Sequence, residues 1–186
     1  MGKADKLFQK AELEYITPFL KLWLAFNCWY KKDSEADNPP IQTDAQAISK
    51  YKIGGKVKLH FLRFFEEIST EGKKFNEAIK LLVLNVEETY ELKDKDGNRV
   101  KYTLLIENPA QRTITTDNLI QVGEGSKKYY IRNDQKEDFF SETLQVIYQV
   151  RCCLVHGDFD IDNQFFIQLV ESSYKIMYPI MERVLE

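Results

Sequence analysis

An arginine and a histidine stand five positions apart in the segment QVIYQVRCCLVHGDFD, residues 145–160. A guanidinium holds phosphate oxygens through several N–H groups, and an imidazole can take or give a proton near neutral pH. Arg151 and His156 are therefore side-chain types that could bind a phosphate and move a proton beside it. Whether they do so depends on the elements that carry them.

The segment around the pair has the periodicity of an amphipathic helix. At 100° per residue, Arg151 falls in the centre of the apolar stripe that includes Phe140 and Leu144. An arginine is rarely buried without a partner, so Arg151 either pairs inside the core or points into a polar cleft or an interface. His156 falls off this stripe, at the end of a helix that Gly157 terminates. From residue types alone, a core ion pair and a capping histidine are the simpler interpretation.

The composition is that of one globular domain spanning residues 1–186. Hydrophobic residues make up 44% and charged residues 30% of the chain, enough for a core without disulfides or metal. The three cysteines show no CxxC spacing, and with only two histidines they predict neither a metal site nor a cofactor. Free cysteines and a charged N-terminus indicate a reducing, cytoplasmic location. The most apolar run has 12 residues and is too short to span a membrane.

The charge distribution points to one segment as a contact for a polyanion. The net charge of −3 argues against binding of nucleic acid by bulk charge. From residue 45 to residue 65, however, there is no acid. The lysines of this segment that could contact an RNA backbone are Lys50, Lys52, Lys56 and Lys58. Such a run is more often a solvated face, so both interpretations stay open.

The periodicities predict a mainly α-helical bundle with a small β-rich insertion. Helices are expected over 4–31, from Thr43 or Asp44 to about Tyr51, over 56–70 and 73–86 with a break near Gly72, over 135–156, and from a cap at Asp162 to the C-terminus. Thr17-Pro18 should restart or kink the first helix. Residues 88–134 alternate like strands around Asp96-Gly97, which predicts a hairpin inside the insertion.

The segment YQVRCCLVHGD resembles the R-x4-H motif of HEPN domains, with Arg151 and His156 as the motif residues. The helical context is similar too, because the motif precedes a last long helix and the apolar first helix is like that of defence-system HEPN proteins. The resemblance covers about 4–87 and 135–186 and leaves the insertion unexplained. It implies a HEPN-like helical bundle and a homodimer in which two motifs face one cleft.

Many HEPN proteins are metal-independent endoribonucleases, and the resemblance implies this activity, of a defence or toxin–antitoxin type. His156 would be the acid or base for attack of the 2′-hydroxyl, and Arg151 would hold the phosphate. RNA is the expected partner, together with a second copy of the chain and an antitoxin or other controlling protein. No membrane partner is expected.

Two further residues are assigned to the cleft by this resemblance. Asn27 on the first helix would line it, although a structural hydrogen bond explains a buried amide equally well. Cys152 stands where active members commonly have Asn, Asp or His, and a thiol is a poor hydrogen-bond donor. A catalytically inactive HEPN domain that binds RNA or protein is therefore the alternative function. A helical structural protein, in which Arg151 only pairs within the core, is the third hypothesis.

Overall fold

The structure is a computed structural model, and it describes residues 15–89, 92–94, 96–107, 118–123, 127–158 and 163–186. Within these ranges the chain forms six α-helices and one two-stranded sheet. The helices are α1 (Ile16–Asp33), α2 (Asp44–Tyr51), α3 (Lys56–Glu66), α4 (Thr70–Glu88), α5 (Lys136–His156) and α6 (Gln164–Leu185). The strands are β1 (Leu119–Gln121) and β2 (Tyr130–Arg132). The mainly helical class predicted from the sequence is confirmed.

The first described helix starts one residue before Thr17 rather than after it. Tyr15 is the N-cap of α1 and makes no capping side-chain hydrogen bond. Pro18 therefore lies in the first turn, where its missing N–H has no intrahelical partner to lose. The predicted start of a helix at residue 4 lies outside the described residues.

Side-chain caps define the N-terminal ends of α2 and α4. Of the two caps that the sequence allowed, Thr43 and Asp44, it is Thr43 that caps α2, through a capping box with Gln46. The two predicted helices are both present, but the break between them lies at residues 67–69 rather than at Gly72, because Ser69 caps α4 by accepting a hydrogen bond from the Gly72 backbone N–H. Gly72 then lies in the first turn, where an added Cβ would be 2.1 Å from the Glu67 carbonyl oxygen. The glycine permits a close approach of backbone rather than a break.

The described residues between α4 and α5 contain little regular strand. β1 and β2 pair antiparallel, with Ile120 opposite Ile131. At Asp96-Gly97 the predicted hairpin is a turn closed by a single bridge between Lys93 and Arg99. The insertion shares the helical core rather than forming its own, since its buried side chains belong to the same hydrophobic cluster: Leu92, Tyr102, Val122, Tyr129 and Ile131.

Helix α6 is the central element of the bundle and packs most extensively against α4 and α1. Helix α5 packs against α2, α3 and α6 and against the insertion, so its exposed face lies between α2 and the insertion. Gly157 ends α5 in the left-handed region at φ 72°, as predicted for residue C′. In the described part of the chain, every helix is too short or too polar to cross a membrane.

Candidate functional site

Arg151 forms an ion pair that links α5 to α2. Its Nη2 lies 3.0 Å from Oδ2 of Asp44, and the two side chains are only 22% and 11% exposed. The arginine on the apolar stripe is thus paired at the edge of the core, which is the first of the two arrangements that the sequence allowed. Asp44 is also the first residue of α2, where the positive end of the helix dipole favours a carboxylate.

Asp44 accepts hydrogen bonds from two side chains of α1 as well. Its Oδ2 accepts from Trp23 Nε1 at 2.9 Å, and its Oδ1 accepts from the Tyr30 hydroxyl at 2.8 Å. Burial and this hydrogen bond raise the pKa of Tyr30 well above its usual value, so it stays a donor. One carboxylate therefore joins α1, α2 and α5. Sequence reasoning treated Asp44 only as a helix cap and missed this role.

Asn27 lies on α1 between Trp23 and Tyr30 in sequence. It is half-buried, and its Oδ1 is buried with no hydrogen-bond partner among the described residues. The Oδ1 atom therefore lacks the internal hydrogen bond that was the structural interpretation of Asn27. Nor does the structure place Asn27 among the residues lining the two clefts described below.

His156 is exposed on the last turn of α5, beside the C′ glycine. The helix is regular up to this residue, so the five-residue step from Arg151 turns the side chain by about 140° and moves it about 7.5 Å along the axis. The two motif side chains of one chain therefore project to different sides of α5. Arg151 pairs with Asp44 of α2, whereas His156 is exposed at the end of α5.

His156 lines a cleft of about 790 Å³ between α2, α5 and the insertion. Cys152 and Tyr148 line the same cleft from α5, and the opposite wall includes Lys93 and Lys101 of the insertion. Arg151 is not among the lining residues. The structure thus brings His156 together with Cys152 in one cleft that the Arg151 guanidinium of the same chain does not line.

Three cleft side chains follow one another along α5 at intervals of four residues: Tyr148, Cys152 and His156. This spacing places them on one face of the helix. Burial, together with the neighbouring Cys152 thiol, raises the pKa of Tyr148 to about 12. Sequence reasoning missed Tyr148, although the four-residue spacing from His156 would have indicated it.

A second cleft of about 590 Å³ adjoins the first along α5. Val100, Lys101 and Gln145 line both clefts, so the two adjoin at these residues. Lys52 and Lys58 line the second cleft. We call the two clefts together the α5 groove. Its floor is α5, and its walls are the α2–α3 region and residues 93–103.

The four lysines predicted to contact RNA differ in their surroundings. Lys50 Nζ lies 2.7 Å from Asp37 Oδ2, and Lys58 Nζ lies 2.6 Å from Glu137 Oε2. Lys56 is exposed and lines neither cleft, whereas Lys52 lines the α5 groove. They do not form one continuous basic surface.

In the described ranges, no group of three or more His, Cys, Asp or Glu side chains is arranged to hold a metal ion. All three cysteines are free thiols, with Cys28 exposed and Cys153 buried. The side chains that line the groove carry imidazole, thiol, phenol, ammonium, guanidinium and carboxylate groups.

Comparisons with protein-family models, with curated proteins and with solved structures find no match to this chain.

Proposed function

We propose that this protein is a metal-independent endoribonuclease of the HEPN type, acting as a homodimer in a defence or toxin–antitoxin system. The observation that carries the proposal is the position of His156, exposed at the end of α5 and facing a cleft large enough for a nucleotide. The R-x4-H motif and the helical frame support the same function.

In the proposed reaction, His156 removes the proton from a ribose 2′-hydroxyl. The 2′-oxygen attacks the adjacent phosphorus, and the bond from phosphorus to the 5′-oxygen of the next nucleotide breaks. A protonated imidazole returns the proton to the leaving oxygen. The products carry a 2′,3′-cyclic phosphate and a 5′-hydroxyl, and DNA is not cut because it lacks the 2′-hydroxyl.

The dimer supplies the arginine that one chain cannot direct at its own cleft. Because Arg151 and His156 diverge on α5, His156 of one chain would act on a phosphate held by Arg151 of the other. Arg151 pairs through Nη2 with Asp44, and its side chain keeps 22% exposure. The planar guanidinium has five N–H donors, so the remaining donors can bind phosphate while Asp44 holds the group in place.

The test is cleavage of a mixed RNA pool by purified protein in EDTA. We expect wild type to cut and to leave cyclic-phosphate ends, and His156→Ala to lose at least about a hundredfold, as for removal of a general acid–base group. His60→Gln is the matched control, since it removes the other histidine, on α3, outside the groove.

Equal thermal stability of the variants must accompany the result. Cleavage that survives in His156→Ala, or that requires a divalent metal, would contradict the proposed function. Cleavage lost equally in His60→Gln and His156→Ala would mean that the assay measures folding and not the site.

A catalytically inactive RNA-binding module is the second candidate. It is favoured by Cys152, which lines the cleft beside His156 and whose thiol is a poor hydrogen-bond donor to substrate. This function predicts that wild type and His156→Ala bind RNA with equal affinity and that neither cuts it.

A further inference from the structure

We infer that the insertion is the substrate-holding wall of the site: Lys93 and Lys101 bind the phosphates of a single RNA strand that lies along the α5 groove. This inference rests on the proposed function, because the proposed nuclease also binds RNA in the α5 groove. It gives a role to the segment that the HEPN resemblance leaves unexplained.

The insertion is fixed against α5 by several contacts. The Tyr102 ring stacks on Phe139 with centroids 5.3 Å apart, and its hydroxyl lies 3.4 Å from Thr143 Oγ1. The Thr103 backbone N–H donates to Glu142 Oε1 at 2.9 Å. A wall held in this way can present cations at constant positions without ordering a loop on binding.

Most other cations of the groove already have structural partners. Arg99 donates to backbone carbonyls at the end of α4, including that of Val86 at 3.3 Å. Lys58 is paired with Glu137. Among the described residues, in contrast, Lys52, Lys93 and Lys101 have no carboxylate within 4.0 Å that would neutralise them.

These three lysines are distributed along the length of the groove. Lys52 lines the second cleft, Lys101 lines both clefts where they meet, and Lys93 lines the cleft that contains His156. Lys93 lines this cleft opposite Cys152 and His156 of α5. A backbone that follows the groove would therefore meet a free ammonium group in each part of it.

Carboxylates in the first cleft limit how strongly bulk charge can contribute. Asp94, Asp96 and Asp158 line it together with its cations. Asp94 accepts from the Asp96 and Asn98 backbone N–H groups, both at 2.9 Å, and so serves the turn. Because positive and negative groups balance, individual lysines must supply the affinity, and its salt dependence should be shallow.

The shape of the groove favours a single strand over a duplex. Each cleft has the volume of a small-molecule pocket, which an RNA duplex is too wide to enter. Tyr148 contributes an aromatic side chain to the cleft of His156, where an unpaired base can stack.

The experiment measures the binding of a fluorescein-labelled 12-nucleotide single-stranded RNA to His156→Ala protein, which prevents turnover. Lys93→Gln/Lys101→Gln is compared with Lys73→Gln/Lys74→Gln, which removes the same charge from the exposed start of α4. We expect the groove variant to bind about tenfold more weakly and its salt slope to fall by about 1.4, as for two lost phosphate contacts on a single strand. The α4 variant should bind like its parent.

Equal weakening in both double variants, or equal binding of a duplex of the same sequence, would overturn the inference, and so would a parent protein that binds no RNA. Cleavage assays with His156 intact separate the two proposals. Binding that depends on Lys93 and Lys101 without any cleavage supports the inference and contradicts the nuclease. Cleavage that is unchanged when both lysines are replaced supports the nuclease and contradicts the inference.

Discussion

At the scale of single residues, the Arg151–Asp44 pair does two things at once. It satisfies a charge on the apolar stripe of α5, and it fixes a guanidinium near the end of the helix that carries His156. The two partners are not equivalent, however. The Asp44 carboxylate binds three donor groups, whereas the Arg151 guanidinium has one carboxylate partner among the described residues. Removing the carboxylate therefore leaves more polar groups without a partner.

Asp44→Ala should destabilise the protein more than Arg151→Ala. We expect the free energy of unfolding to fall by about 3 kcal/mol for Asp44→Ala, since a partly buried arginine, indole and phenol lose their acceptor. Arg151→Ala should cost about 1–2 kcal/mol, because Trp23 and Tyr30 still bind the carboxylate. Urea denaturation followed by circular dichroism measures both.

Asp37→Ala is the control for this comparison. It breaks an exposed pair with Lys50, in which both side chains are 40% exposed, and should change the free energy of unfolding by less than about 1 kcal/mol. If Arg151→Ala proved as destabilising as Asp44→Ala, the asymmetry argued from the hydrogen bonds would be wrong.

His60 should make the fold sensitive to mild acid. Burial lowers its pKa below the ordinary value of 6.5, and Arg63, Arg183 and Lys56 act in the same direction against Glu186. The unfolded chain therefore binds the proton more readily, so the stability contributed by neutral His60 is present above about pH 6.5 and is lost as the pH falls through the range below it.

Thermal unfolding at pH 8 and pH 5.5 tests whether the protein loses stability as the pH falls. The loss of stability between these values should be smaller in His60→Gln than in wild type, because glutamine has no proton to gain. An equal or larger loss in the variant would show that His60 does not carry the effect.

At the scale of elements, helix ends decide where the site residues lie. Gly157 ends α5 with φ 72°, so the chain turns away directly after His156. Gly72 acts differently, because a Cβ added there would lie only 2.1 Å from the Glu67 carbonyl oxygen. Glycine is needed at the two positions for different reasons. Gly157 adopts a left-handed backbone conformation, and Gly72 leaves no space for a Cβ atom.

Alanine substitutions at these glycines should lower the free energy of unfolding by different amounts. Gly72→Ala should reduce the free energy of unfolding by about 2 kcal/mol through overpacking against backbone. Gly157→Ala should cost about 1 kcal/mol, from the left-handed conformation alone, because an added Cβ there meets nothing within 4 Å.

Gly54→Ala provides the matched control. Gly54 has open space around it, and its φ is not positive, so the change should be neutral or stabilise by about 0.5 kcal/mol. Chemical denaturation of the three variants under one condition gives the order, and a Gly72→Ala protein as stable as Gly54→Ala would contradict it.

At the scale of the whole molecule, the divergence of Arg151 and His156 leads to a prediction about two copies. If each active site combines His156 of one chain with Arg151 of the other, then Arg151→Ala and His156→Ala proteins should complement each other. Half the dimers in an equal mixture are mixed, and each has one intact site, so about a quarter of wild-type cleavage should return. Each variant alone should be inactive.

The mixture must be unfolded and refolded together so that subunits exchange. A double variant carrying both substitutions, mixed with wild type in the same way, shows how much activity exchange itself preserves. No recovery from the mixture, with a dimer seen by analytical ultracentrifugation, would place both residues in the same chain's site or remove Arg151 from catalysis.

The sequence determined the helical elements and the helix end at Gly157, because periodicity and capping are local in the chain. It also indicated that Arg151 needed a partner, since the cost of an unpaired buried charge does not depend on the fold. The identity of that partner was not predictable: Asp44 lies 107 positions away and meets Arg151 only when α2 packs against α5.

The groove itself was decided by the tertiary structure. Lys93 and Lys101 carry no local signal that places them opposite His156, and Gly72 reads as a breaker until the Glu67 carbonyl is seen beside it. Local patterns fix which face of a helix is buried. Which side chains share a cleft depends on contacts between residues far apart in the chain, and those are set only when the insertion docks on α5.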